Sequence, residues 1–319
     1  MATSPQTSTV PLALRAANGL VLELLQVGRG PRDLTEALIL TTIFHANVAP
    51  LAGNLRAQQR YATFYSPPPD RARRPITLNA IASALRLPPE TVRARVAQLA
   101  NEGVLDVSRR GVLFSEGSLR SPEHRAALER AYEVVRDLYL RLREAGAIAA
   151  MRLPSPTVEL ASPGARPLRI VARISVEYVL AVVDWLTRRL GDPADGLVLA
   201  ALAIGPVRRG SVQTRGEGPA GPMGPLSDQD RTPRRIEAVA AALGLPEDLV
   251  RQRLLRLAGR GLCVPSGGDF VVPAEILGRA PVAEATGFSE ANLIRMFRQL
   301  AELGVLALWD HEAGAAVAA

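Results

Sequence analysis

Shifting the chain against itself by 158 residues, close to half of its 319, brings two long segments into ungapped register. Ile81–Leu105 reads IASALRLPPETVRARVAQLANEGVL, and Val239–Cys263 reads VAAALGLPEDLVRQRLLRLAGRGLC. They agree at 11 of 25 positions. Alanine and leucine richness supplies some of these matches, but Pro88, Val92, Arg93, Arg95 and Gly103 also recur, as Pro246, Val250, Arg251, Arg253 and Gly261. The same offset carries Val112–Phe114 onto Phe270–Val272, Leu119 onto Leu277 and Leu142 onto Leu300. A repeat of this length confines the chain to two related units. They are expected at 10–150 and 168–308. The linker between them, 151–167, contains the Pro-, Ser- and Gly-bearing run PSPTVELASPGARP.

Both units have the same coarse order. An apolar helix leads (Leu12–Val27, then Ile170–Leu190), and a second follows a Gly/Pro turn (Leu34–Val48, Ala194–Ile204). A polar, Pro- and Arg-rich stretch comes next (Ala52–Pro75, Gly205–Pro233). Two short helices, two short strands and a closing helix (Pro122–Ala145, Pro281–Leu303) complete the unit. The Ala/Gly-rich tail beyond Trp309 is expected to fray. Trp185 and Trp309 sit among apolar residues and are expected in the core.

The short-helix pair carries the chemistry. Ile81, Leu85 and Leu87 give the first helix its apolar side, and Leu87-Pro88-Pro89 forms a turn. Pro89 suits the first position of the next helix, and Glu90 favours its dipole. Val92, Val96 and Leu99 then recur at i, i+4 and i+7 as a core-facing stripe. Gly103 stops the helix where a left-handed residue is needed. Val104–Val107 and Val112–Phe114 read as strands around a Ser108-Arg109-Arg110-Gly111 turn.

The run Thr91-Val92-x-x-Arg95-Val96-x-x-Leu99-x-x-x-Gly103-Val104-Leu105 resembles the winged-helix region of bacterial regulators of the Lrp/AsnC, GntR and MarR kinds. The resemblance covers about 40 residues of each unit, and the second keeps Val250, Arg253, Leu254, Leu257, Gly261 and Leu262. Both copies depart from the pattern by some 25 residues inserted before the helix pair. The fold this implies is mainly α. It has two duplicated winged helix-turn-helix units with small β-hairpin wings and extra flanking helices, the motifs lying at 78–115 and 234–273. A further segment, 281–306, reads VAEATGFSEANLIRMFRQLAELGVL from Val282. It resembles a helix-turn-helix with a GFS turn, and equally fits a helical packing or dimerisation element, which is the preferred reading.

In such motifs the second helix enters the major groove and the hairpin reaches the adjacent backbone. The candidate contacts of the first unit are Glu90, Thr91, Arg93, Arg95 and Gln98 on the helix and Arg109 and Arg110 on the wing. Arg93 has the fork to read guanine and Gln98 can read adenine, whereas Arg95 flanks the core stripe and suits a phosphate. In the second unit the candidates are Arg251, Gln252, Arg253 and Arg256; its wing tip, Gly267-Gly268-Asp269, is poor for phosphate. The inserts add Arg71, Arg73 and Arg74, and Arg208, Arg209, Arg215, Arg231, Arg234 and Arg235. They read either as arms on the DNA backbone or as solubilising loops.

Charge supports this reading and separates the units. All 38 basic residues are Arg, against 31 acids, for a net +7. Residues 1–160 hold 20 Arg and 14 acids, net +6, and residues 161–319 hold 18 and 17, net +1. No apolar stretch reaches the ~20 residues that span a bilayer, and MATSPQTSTV lacks the pattern of a secretory signal. With one cysteine, Cys263, expected as a buried strand residue, these features point to a cytoplasmic, nucleoid-associated protein.

Other motifs carry no weight. Gly216-Glu-Gly218-Pro-Ala-Gly221 matches a dinucleotide-binding fingerprint only literally, because no strand precedes it and Pro219 and Pro222 prevent a helix from opening there. His45, His124 and His311 are scattered, so no metal site is expected, and no nucleophile–base pair or cofactor cradle stands out. The expectation is a non-enzymatic transcription regulator of double-stranded DNA, needing no cofactor. A second copy, RNA polymerase or another regulatory protein would be its further partners. The alternative is a winged-helix protein–protein interaction module of a chromosome-organising or transcription complex. The leading helices would join the two units, form a homodimer or enclose a small ligand.

Overall fold

In the first half, α1 (Val10–Arg29) is followed by α2 (Leu34–Ala52), which starts where the Asp33 carboxylate accepts the Glu36 amide at 2.8 Å. α2 is long and apolar enough to cross a bilayer, which qualifies the expectation that no segment is. Its apolar surface is nevertheless spent inside the fold: Ile39 and Ile43 are fully buried, and the helix packs on its neighbours. The connector after it contains α3 (Leu55–Arg60) and a 3-10 turn at Asp70–Ala72. Then come α4 (Leu78–Leu85), α5 (Pro89–Asn101), β1 (Leu105–Ser108), β2 (Gly111–Phe114), α6 (Glu116–Leu119), α7 (Pro122–Glu144) and α8 (Ala147–Ala150). The second half has α9 (Leu168–Leu190), α10 (Pro193–Ala203), α11 (Ile236–Leu243), α12 (Glu247–Gly259), β3 (Val264–Ser266), β4 (Asp269–Val271), α13 (Ala274–Leu277), α14 (Val282–Glu302) and α15 (Val305–Ala318). This computed structural model describes residues 10–158, 166–204, 233–280 and 282–318. Arg208, Arg209, Arg215, Arg231, the Gly216–Gly221 motif and part of the linker lie outside them.

The chain is thus mainly helical, with two small antiparallel sheets. Both bounds of α11, α12 and α13 lie 158 residues beyond those of α4, α5 and α6, so the offset seen in sequence is an offset of elements.

The halves interlock. α1 and α7 of the first pack with α9 and α14 of the second, α1 and α9 each touching both of the others. Each leading helix also lies on the opposite half: α9 on α2 and α4, α1 on α10 and α11. Polar contacts fix this exchange. Arg169 of α9 donates to the carbonyls of Phe64 (3.0 Å) and Leu119 (2.8 Å), and its own amide donates to Ala62 at 2.9 Å. Arg173 donates to Gln58, and the Tyr178 hydroxyl donates to the Ala17 carbonyl at 2.7 Å.

Several expectations change against this packing. The GFS segment is no turn, since α14 runs through it unbroken. Leu293, Met296, Phe297 and Leu300 form a buried stripe, and Phe288 stacks on Trp185 at 5.7 Å. The segment is a packing helix. Trp185 itself is half-buried, beneath Arg189, instead of lying in the core. Beyond Trp309 the chain stays helical, since α15 runs to Ala318 and is pinned to α7 at its start: the Trp309 indole donates to the Tyr132 hydroxyl at 2.6 Å, and the Tyr139 hydroxyl donates to Asp310 at 3.0 Å. Cys263 is buried as expected, one residue ahead of β3.

The first hairpin is held from below. Asn47, buried in α2, donates to the carbonyls of Arg74 (2.9 Å) and Val112 (3.1 Å) and accepts from the Phe114 amide (3.0 Å). Ile76 bridges Val112 as a third strand position. Gly111, at φ +126°, lies so close that a Cβ would meet the Ile76 carbonyl oxygen at 2.6 Å. Gly111→Ala should therefore cost at least about 2 kcal/mol through backbone strain and this collision, read as a lowered urea midpoint.

A second prediction concerns acid. Burial, with Arg169 beside it, pushes the His124 pKa from 6.5 down to about 4. Unfolded chains take up a proton near pH 6.5 that the folded imidazole refuses, so stability falls as pH drops from 6.5 toward about 4. The ceiling on this slope is about 1.4 kcal/mol per pH unit. His124→Gln should flatten that part of the profile in urea titrations at pH 7 and pH 5.

Candidate nucleic-acid interface

Each half presents a short helix, a left-handed turn, a 13-residue helix and a hairpin, in that order. The turn is made by Arg86 (φ 51°) in the first half and by Gly244 (φ 63°) in the second. α5 begins with Pro89 and ends before Gly103, whose φ of 75° reverses the chain into β1. Val92, Val96 and Leu99 are buried, so the opposite face is fixed toward solvent. Arg93, Gln98 and Glu90 lie exposed there, while Thr91 is half-buried at its margin. Arg93 is paired with Glu90 at 2.5 Å yet keeps 59% of its side chain exposed. Such a surface pair is worth only a few tenths of a kcal/mol and yields readily to a phosphate or base. Gln98 donates to Glu102 at 3.1 Å. At the hairpin tip Arg109 and Arg110 are exposed, and neither has an ion pair among the described residues.

Arg95, expected to suit a phosphate, is engaged by carboxylates of its own half. Its guanidinium is paired with Asp33 at 2.7 Å and with Glu36 at 2.8 Å, at the N-terminus of α2. Glu36 is almost wholly buried, and Arg95 is its close cation, supported by Arg32 at 3.6 Å. The second half repeats the device: Arg253, with 14% of its side chain exposed, pairs with Asp192 (2.9 Å) and Asp195 (2.6 Å) at the start of α10. Arg256 joins at 3.0 Å to Asp195 but stays 60% exposed, so part of its fork remains available. Recurrence of Arg95 and Arg253 in the repeat therefore reflects how the second short helix docks on its own half.

The acids of this clamp were missed in the sequence, although they left a signal. Asp33-x-x-Glu36 and Asp192-x-x-Asp195 recur at an offset of 159, one residue out of step with the rest of the repeat.

No family model, curated protein or solved structure matches the chain. Its function therefore rests on the arrangement of its own residues.

Arg251 and Gln252 lie exposed on α12, as Arg93 and its neighbour do on α5. Between them and Arg256 stands Leu255, 55% exposed, where the first half has Ala97; Val264 on β3 is also exposed. The inserts divide. Arg71 and Arg74 are exposed, but Arg73 is buried, donating to the Phe114 carbonyl at 2.7 Å and to Asp70, so it anchors the connector and is no arm. Arg234 is half-buried on the Ala201 carbonyl at 2.5 Å, and Arg235 pairs with Glu237 at 3.3 Å. Among the described residues no group of His, Cys, Asp and Glu is placed to hold a metal.

The clamp makes a prediction that a DNA-contacting role would not. Arg95→Gln leaves the buried Glu36 short of its partner and should cost about 3 kcal/mol. Adding Glu36→Gln should recover much of the loss, with a coupling of about 1–3 kcal/mol in the double-mutant cycle, measured by urea denaturation without DNA.

Proposed function

We propose that the chain is a cytoplasmic, nucleoid-associated transcription regulator that binds double-stranded DNA through two winged helix-turn-helix units carried in tandem. The observation that carries this reading is the exposed face of α5, where Arg93 and Gln98 stand free of the core, next in the chain to a hairpin tipped by Arg109 and Arg110. Long forked donors on a rigid helix suit base edges, and cations on a hairpin suit phosphates. The second unit contributes Arg251, Gln252 and Arg256. Arg95 and Arg253 act indirectly, by setting the angle of each helix on its support. Because one chain supplies both units, two half-sites can be read without a second copy, and RNA polymerase or another regulatory protein would be the further partner.

A second reading has its own support in the second half. Leu255 and Val264 are exposed apolar side chains where a DNA-facing surface would be polar, and residues 161–319 carry a net charge of only +1. In that reading the unit around α12 is a protein-binding surface of a chromosome-organising or transcription complex.

Selection of fragmented genomic DNA by the purified chain, at two salt concentrations, separates the two. A regulator returns a sequence motif with two half-sites and an affinity that falls with salt. Arg109→Ala with Arg110→Ala should lower affinity across all sequences and reduce the salt slope by about 2. Recovery of no motif, with salt-insensitive binding, would transfer the assignment to the protein-interaction module.

A further inference from the structure

Where α1, α2, α7 and α9 meet the end of β2, a partly open cavity of about 150 Å3 lies between the halves. Its lining comes from both halves, is apolar over most of its surface, and contains no carboxylate, guanidinium or ammonium. Phe44, Phe114 and His124 form a corner of three rings, with centroids 6.1 to 6.3 Å apart. Thr41 and Ser175 are the hydroxyls in the wall.

We propose that this cavity is a binding site for one small, neutral, single-ring aromatic molecule bearing a hydroxyl or similar donor. The inference stands on the cavity and does not rest on the DNA-binding reading. Size suits a single ring: about 150 Å3 of mostly apolar room accommodates one benzene-sized group, with the open side left for a substituent. Neutrality follows from the lining, where an ionised group would be desolvated with no opposite charge to meet it. His124 supplies none, because burial holds its imidazole neutral. The three-ring corner offers edges and faces for a further ring to pack in offset or edge-to-face geometry.

The polar atoms choose the substituent. The Thr41 hydroxyl donates to the Ala37 carbonyl at 2.7 Å, and the Ser175 hydroxyl donates to the Val171 carbonyl at 2.7 Å. With their protons committed to the helix backbone, both oxygens can only accept from a ligand. A donor such as a phenolic hydroxyl is what they can take. His124 Nε2 lies 3.5 Å from the Arg169 guanidinium, which only donates, so the ring proton belongs on Nδ1.

The test uses the full chain with phenol, benzene and benzoate as probes, followed by thermal melts and by amide chemical shifts. Phenol should raise the melting temperature saturably and perturb amides around Phe44, His124 and Ser175. Benzene should do so more weakly, and benzoate not at all. Ala172→Leu places extra carbons in the void; it should melt cooperatively at or above the wild-type temperature and lose the phenol response at least tenfold. Should that variant misfold, Ala131→Leu fills the same space from α7 and carries the same expectation. The proposal is overturned if phenol gives no saturable response at millimolar concentration, if benzoate matches phenol, or if a folded filling variant still binds phenol as the wild type does.

Discussion

The N-terminal two turns of α9, Leu168–Ser175, are buried residue after residue, and that demand organises the molecule. A helix buried on all sides cannot lie on the surface of its own half. It has to be enclosed, and the enclosing groups are the connector, α2 and α7 of the first half. Arg169 and Arg173 go in with it, and their guanidinium groups are tolerated because backbone carbonyls and Gln58 meet them. α1 makes the reciprocal commitment to α10 and α11. The halves are therefore duplicated in sequence without being separate globules, because each leading helix packs on the other half.

Legibility in the sequence followed the range of the interactions. Helix α5 could be read almost to the residue, because Pro89, the Val92–Val96–Leu99 spacing and Gly103 are local signals with local causes. Periodicity also identified which face of α5 is exposed. What it could not supply was the occupant of the flank: Arg95 and Arg93 are equally basic in the sequence, and only the approach of α2 ties one to the Asp33 and Glu36 carboxylates while the other keeps an exposed pair with Glu90 on its own helix. The same limit explains Arg73, which looks like a solvent-facing cation in the sequence and is in fact buried against the Phe114 carbonyl and Asp70. The GFS segment fails for a related reason. Glycine and serine disfavour a helix by modest amounts, and the burial of Leu293, Met296, Phe297 and Leu300 on the same helix outweighs them. The tail was misread because the Ala/Gly content was visible and the Tyr132–Trp309 contact was not.

The two halves share a framework and differ in what they display on it. The acid–arginine clamp is present in both, so the second short helix is set on its support by the same physics. On the exposed side, Ala97 gives way to Leu255 and the Arg109-Arg110 tip to Gly267-Gly268. A common scaffold thus carries Arg109 and Arg110 beside an exposed Val107 in one half and Leu255 among Arg251, Gln252 and Arg256 in the other. Any partner that engages both meets two unlike surfaces, and approaches the molecule with a defined polarity.

The exchange of leading helices also has a consequence for how the chain comes to be folded. The partners of Arg169, at Ala62–Phe64, precede it by more than a hundred residues, so contacts that close the first half wait for chain made much later. During synthesis the first half emerges with the groove for α9 unfilled and α1 without its second neighbour. It stays incomplete until the linker and α9 have left the ribosome, and the second half in turn finds α1 already waiting. Order of emergence gives the two copies different folding histories: one matures late against a newcomer, the other assembles on a surface prepared in advance.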